Sequence, residues 1–254
     1  MQKVRFLGRV VPGGAKLNVF GAQMLWEEGN ERGLSAKIWC NIVESTVSID
    51  CEVENLTLGN PISLGKLYEG VFMSVQHIID IAAFNMASGM LLAIESFVDP
   101  SGQSLELKLD NLALQSLCTA FSLSDLSEFL MMASHDPIFL LALNDLNMAL
   151  AYPGQRLVSC GRALDGIRHV IAGIGIAQKA GWGAVRIALN VDRLYLQLIT
   201  DASTRPRHGE RNFGVLDQVD EVIKRSWVLM NRLFEYKKRG DQNLTGPDFP
   251  QLTG

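Results

Sequence analysis

The chain has 254 residues, of which 48% are hydrophobic and 20% are charged, and its formal net charge is −4. This composition supports a substantial core and excludes global disorder, and the acidic balance argues against broad electrostatic binding to DNA or RNA. The length fits one large domain or two modest ones. The four cysteines show no CxxC pair and no zinc-type spacing with histidine, which predicts buried, reduced thiols and no metal site.

The sequence shows no signal for secretion or for a membrane span. The first six residues lack the apolar region of a signal peptide. The most apolar runs, such as residues 138–143, are far shorter than the roughly 20 residues that cross a bilayer. We therefore expect a cytoplasmic protein with no membrane partner.

The first third of the chain carries the period-two alternation of β-strands. Apolar and polar residues alternate over 34–42 and again over 47–53, on both sides of a short connection. This pattern predicts an antiparallel hairpin with one apolar face. Residues 3–11 and 17–26 are two further candidate strands.

Helical spacing interrupts the strands over residues 63–87, where an apolar stripe follows Ser63 as a candidate N-cap. The turn sequence Asp99-Pro-Ser-Gly then predicts a second hairpin, which joins 91–98 to 105–109. A helix laid over an antiparallel sheet buries the apolar faces of both, so this half of the chain is expected to be an α+β unit.

From about residue 123 onward the apolar pattern is helical. Asp136 followed by Pro137 is a typical helix start, and Asn190 is the candidate cap of a later helix that extends to about residue 203. A glycine-rich stretch over 173–183 is expected to separate two of the helices. The other predicted helices cover 155–171, 184–189 and 214–239.

The predicted fold class is α+β, in three segments. Residues 1–122 form a β-rich domain with an antiparallel sheet and one long helix, and residues 123–240 form a bundle of four to five helices. Residues 241–254 are rich in Gly, Pro and polar residues, which predicts a flexible tail.

The most informative segment is 203–211, which contains Arg205, Arg207, His208 and Arg211 at the break between two predicted helices. Guanidinium groups match phosphate oxygens as forks, and imidazole can transfer protons near neutral pH. The segment is therefore a candidate phosphate-handling site. The alternative is an ordinary charged connection between helices.

Arg162, Asp165 and His169 form a second polar group, because their spacing places them on one face of a predicted helix. They could pack toward the Arg/His segment and orient it, as supporting residues do around reactive groups. The alternative is an intrahelical ion pair on a solvated face.

These motifs, in this order, resemble bacterial HEPN-like helical domains, especially the Apea- and MauJ-like branches. The resemblance rests on Arg162-Ala-Leu-Asp-Gly-Ile-Arg168, on Asn190-Val-Asp192 at a helix start, and on Arg207-His208-Gly209. It implies a bundle of four or five helices that forms a homodimer. In active members it also implies metal-independent RNA cleavage in defence or toxin systems, without a cofactor.

The same resemblance implies roles for individual residues. His208 would be the general acid or base, Arg207 or Arg205 would contact the phosphate, and Asp165 or Arg162 would support them. The family's ribonuclease motif, however, separates its Arg from its His by several residues. Here Arg205 and Arg207 lie only three and one positions before His208, so a shared helix face is not expected.

Two main functions are therefore predicted. One is a HEPN-like component of a prokaryotic defence or toxin system that acts on RNA. The other is a non-catalytic protein that binds a ligand or a partner protein and dimerises through its helical bundle. A third alternative is a nucleotide-binding accessory protein, and whether the chain is an enzyme is left open.

Overall fold

The computed structural model describes residues 1–28, 33–107, 112–118, 126–210 and 216–254. The chain divides into two compact units, residues 1–109 and 110–254. The first is α+β and the second is helical, as predicted. The division lies ahead of the expected boundary at residue 122, so the short helix α2 (Leu112–Gln115) groups with the helical unit.

The first unit contains a six-stranded antiparallel sheet. Its strands are β1 (Gln2–Val11), β2 (Val19–Glu27), β3 (Ser35–Val43), β4 (Thr46–Glu54), β5 (Leu91–Val98) and β6 (Ser104–Glu106). They are arranged in the order β2-β3-β4-β1-β5-β6. Both predicted hairpins are present, with Ile38 opposite Cys51 in β3–β4 and Phe97 opposite Leu105 in β5–β6.

One face of the sheet is apolar and is covered by the helix α1 (Pro61–Asn85). Alternate residues of β1, β3 and β4 are buried, and the rings of Phe6 and Phe97 lie 5.2 Å apart in this core. Helix α1 begins earlier than predicted because Asn60 is its N-cap, with Oδ1 accepting from the Ile62 N–H at 2.9 Å. Pro61 then occupies the first helical position, which it favours.

The second unit is built on α3 (Leu126–Ser134), α4 (Pro137–Ala151), α5 (Arg156–Ala172), α6 (Gln178–Ala188), α7 (Arg193–Arg207) and α8 (Leu216–Lys238). Helix α5 is central, because it contacts α4, α6, α7 and α8. These five helices share one apolar core, in agreement with the predicted bundle of four to five.

Two helix boundaries differ from the sequence-based expectation. Helix α6 begins at Gln178, so part of the predicted glycine-rich separator is helical. Asp192, and not Asn190, caps α7, because its Oδ1 accepts from the Tyr195 N–H at 2.7 Å while Asn190 adopts a φ of 49°. Helix α7 continues to Arg207, so the first part of the predicted charged connection is its last turn.

The segment after α8 corrects the prediction of a flexible tail. Leu244 is buried, and its N–H donates to the Ala188 carbonyl at 2.8 Å. Leu252 pairs with Val191 in a parallel bridge, with hydrogen bonds to Asn190 and Asp192 of 3.0 and 2.9 Å. Spaced apolar residues therefore anchor a segment whose average composition is that of a loop.

All four thiols are free, and burial raises the pKa of Cys40 to about 11, of Cys51 to about 12 and of Cys160 to about 11. Among the helices in the described ranges, even long ones such as α1 and α8 lack the apolar stretch that a bilayer span requires.

Candidate functional site

The candidate site lies where α7 crosses α5 at close range. Ser203 is fully buried against Gly161, and Arg207 follows one turn later on the same face of α7. A Cβ atom on Gly161 would lie 2.4 Å from Ser203 Oγ and 3.3 Å from Arg207 Cζ. Because real Cβ atoms do not lie within 3.0 Å of such an atom, the contact with Ser203 depends on glycine at position 161.

Arg207 is held by an acidic residue of α5. Its Nη1 donates to Asp165 Oδ2 at 2.5 Å, and both side chains are partly buried. Asp165 lies one turn after Gly161, so the pair extends the close contact between the two helices. The structure thus joins Arg207 of the Arg/His segment to Asp165 of the second polar group.

A buried arginine lies next to this pair. Arg168 is only 9% exposed; its Nε lies 3.8 Å from Asp165 Oδ1, and its guanidinium is 5.4 Å from the centre of the Trp182 ring. Arg168 Nη2 also lies 2.9 Å from His169 Nε2. Because a guanidinium only donates, His169 Nε2 is the acceptor in this contact.

The sequence motif ends at Arg168 and assigns that residue no role, although its spacing indicates one. It continues the apolar stripe of α5 through Leu157, Gly161 and Leu164, which predicts burial. Its Nε and the His169 Nδ1 are buried without a hydrogen-bond partner among the described residues. His169 is therefore part of the helix packing around Arg168.

Arg162 points to a different neighbour. Its Nη2 lies 3.2 Å from Asp145 Oδ1 of α4. Burial raises the pKa of Asp145, and the positive charge of Arg162 opposes that rise. Arg162 thus stabilises a carboxylate at the α4–α5 contact, and the structure pairs it with Asp145 and not with the Arg/His segment.

The remaining members of the Arg/His segment are exposed. Arg205 Nε lies 3.8 Å from Glu210 Oε2, with both side chains largely in solvent. His208 is the C-cap of α7; its backbone N–H donates to the Arg205 carbonyl at 3.0 Å, and the residue is exposed. Arg211 lies outside the described residues. Of Arg205, Arg207 and His208, only Arg207 is held against α5.

Arg232, a residue outside both polar groups found in the sequence, binds three backbone carbonyls. Arg232 of α8 donates through Nη1 to the Leu189 and Asn190 carbonyls at 2.7 and 3.0 Å, and through Nη2 to the Pro250 carbonyl at 2.6 Å. Burial lowers the pKa of Arg232. This residue joins α8, the α6–α7 connection and the C-terminal segment.

Neither the α5–α7 crossing nor the surroundings of Arg232 form a metal centre among the described residues. In the part of the chain that the structure describes, no three His, Cys, Asp or Glu side chains are grouped so as to hold a metal ion. At the α5–α7 crossing, the guanidinium of Arg207 is neutralised by Asp165. Arg205 and His208, at the end of α7, are exposed to solvent.

Comparison with known proteins gives one match. Residues 123–238 match a family described as the C-terminal domain of a domain of unknown function, DUF8168. This range runs from just before α3 to the end of α8. No curated protein and no solved structure matches the chain significantly.

Proposed function

We propose that this chain is a non-catalytic assembly protein of the cytoplasm, which forms a homodimer through its helical unit. The observation that carries the proposal is the ion pair between Arg207 and Asp165 at the α5–α7 crossing. Through this pair, the Arg/His segment holds the end of α7 against α5. The resemblance to HEPN-like domains supports the dimer, because such bundles usually associate in pairs.

A phosphate-binding role for Arg207 would require its guanidinium to be available. It is instead neutralised by Asp165 and packed beside Gly161, so a phosphate would have to displace a carboxylate that is already in place. General acid or base catalysis also requires an imidazole held in a defined orientation. Within the described residues, no side-chain partner holds the exposed ring of His208.

The outer face of α4 is the surface that we assign to the dimer. Leu140 and Leu141 are exposed there, together with Asn144 and Asn147. The only charged residue of α4 is Asp145, which is buried and paired with Arg162. A second copy could therefore meet this face without repulsion between like charges, and exposed Leu130 and Met131 of α3 add apolar surface.

Replacing Leu141 by glutamate is expected to shift the protein from dimer to monomer, because it places a carboxylate on the apolar contact. Sedimentation velocity over a concentration series measures the change. Ile187→Glu is the matched control, since Ile187 of α6 is 65% exposed against 61% for Leu141. A wild-type chain that stays monomeric, or equal effects of the two substitutions, would remove the support for an α4 dimer.

The second candidate function is a HEPN-like, metal-independent ribonuclease of a defence or toxin system. The specific observation in its favour is that Arg205 and His208 are exposed and thus accessible to RNA or to a second copy. In this mechanism His208 would take the proton of a ribose 2′-hydroxyl, and an arginine would stabilise the developing charge on the phosphate.

Incubation of the wild-type chain with RNA in EDTA separates the two functions. We expect no cleavage, no change in stability on His208→Ala, and a loss of about 1 kcal/mol on Arg207→Ala, because that change leaves the Asp165 carboxylate without its main partner. RNA cleavage with cyclic phosphate ends, abolished by His208→Ala in a protein that still folds, would instead establish the ribonuclease.

A further inference from the structure

Strand β2 forms one edge of the sheet and carries little of the usual protection of edge strands. Over its nine residues, Val19–Glu27, it contains no Pro, Lys or Arg, and its only charged residue is the last, Glu27. The opposite edge strand, β6, has only three residues. Natural sheets normally shield long edges with charges, proline or bulges, because open backbone groups recruit further strands.

The side chains of β2 are also unusually exposed for apolar residues. Phe20 is 74% exposed and Leu25 is 65% exposed. The register with β3 shifts between Val19 and Ala22, where Gly21 has a φ of 62° and donates its N–H to Asn41 Oδ1 at 2.8 Å. This bulge disturbs only the beginning of the strand and leaves a regular edge from Ala22 onward.

The regular part of β2 is held rigidly on its inner side. Residues 22–27 are paired continuously with β3, and the ring of Trp26 packs against Gly70 of α1. On the outer side no described strand is paired with it. A fixed strand with an open row of N–H and C=O groups is complementary to another extended strand.

We propose that a second copy of this chain adds its own β2 to this edge in antiparallel orientation, which joins the two sheets into one. The central pair is Leu25 of one copy opposite Leu25 of the other. The two copies are then related by a two-fold axis perpendicular to the sheet, and opposed residues point to the same face of the joined sheet. The pairing then uses residues 23–27, which lie beyond the bulge.

The charges of β2 fit this arrangement. With Leu25 at the centre, Gln23 lies opposite Glu27, so the carboxylate of the strand does not face its own copy. A parallel arrangement in register would instead place the two Glu27 side chains next to each other, which costs free energy. The contact is small, so association is expected to be weak, with a dissociation constant on the order of micromolar.

Site-specific disulfide formation in the full-length chain tests the register. Leu25→Cys is expected to form a covalent dimer under mild oxidation, because opposed Cα atoms lie roughly 5 Å apart. Gln23→Cys should not, since the two Gln23 positions would be displaced by about 13 Å along the strands. Both changes are made in the Leu141→Glu background, so that the outcome does not depend on a dimer through α4.

Phe84→Cys is the control for exposure, because Phe84 lies on α1 and is 90% exposed, more than Leu25 at 65%. We expect Leu25→Cys to cross-link roughly tenfold faster than Phe84→Cys at equal concentration. The parent chain controls for the native thiols. Equal rates for the two variants, or no dimer from Leu25→Cys, would overturn the proposal, and so would a chain that pairs β2 only with a strand from a different protein.

Discussion

Gly161→Ala is expected to destabilise the helical unit by about 1–3 kcal/mol, because overpacking a tight contact forces the backbone to move. The added Cβ would lie 2.4 Å from Ser203 Oγ and 2.6 Å from Ser203 Cβ, and neither helix can easily yield. A displaced α7 would also weaken the Arg207–Asp165 pair. Urea denaturation followed by far-ultraviolet circular dichroism measures the effect, since the helices dominate that signal.

Gly183→Ala is the matched control. Gly183 also lies within a helix, α6, but nothing is within 4 Å of the position of its Cβ. Alanine there should stabilise the protein by about 0.5–1 kcal/mol through helix propensity. Adding Ser203→Gly to Gly161→Ala should restore part of the loss, because it removes the atoms that clash. A Gly161→Ala variant as stable as Gly183→Ala would contradict the close crossing.

Arg232→Met is expected to cost about 3 kcal/mol, because the buried Leu189 carbonyl and the partly buried Asn190 and Pro250 carbonyls each lose the guanidinium donor. The C-terminal segment should then detach from the α6–α7 connection. Hydrogen exchange at the Leu252 amide, which donates to the Asn190 carbonyl, measures that detachment directly.

Arg239→Met is the comparison for this variant. Arg239 lies over the Phe249 ring at 4.5 Å, as Arg232 does at 5.9 Å, but its side chain is 47% exposed and its Nε lies 3.6 Å from Glu235 Oε2. Its loss should cost less than about 1 kcal/mol and leave the Leu252 amide protected. If both variants behaved alike, the three carbonyl contacts of Arg232 would not be what holds the segment.

For β3 and β4, the sequence predicts both the strands and their pairing. In β3 and β4 the period of two is unbroken, and a slip of one residue would turn every apolar side chain outward, so the pattern specifies the register. The position of β1 between β4 and β5 could not be predicted in this way. It depends on contacts between distant parts of the chain, which no local pattern encodes.

Helix starts were harder to assign than helix cores. Ser63 and Asn190 are good capping residues in isolation, yet Asn60 and Asp192 are the caps that accept a backbone N–H. At Asn60 the deciding feature is the proline that follows. To choose between two nearby capping residues, one must know the direction from which the chain enters the helix. That direction is determined by tertiary packing and not by local sequence.

The candidate site was only partly accessible to sequence reasoning. A contact between the Arg/His segment and the polar group of α5 was one of two alternatives in the sequence, and the Asp165–Arg207 pair is such a contact. Arg162 pairs with Asp145 because α4 lies beside α5, which spacing alone does not reveal, and Arg205 pairs with Glu210 just after its own helix. Arg232 was overlooked because its partners are backbone carbonyls, and these carry no residue-specific signature.

The buried thiols make the two units separately observable during unfolding. Alkylating reagents attack the thiolate, and burial that raises the pKa of Cys40, Cys51 and Cys160 to about 11 or 12 leaves almost none of that form at neutral pH. Modification must therefore wait for local opening. The labelling rates of Cys40 and Cys51 then follow the sheet, and that of Cys160 follows the bundle, within one sample of the native chain.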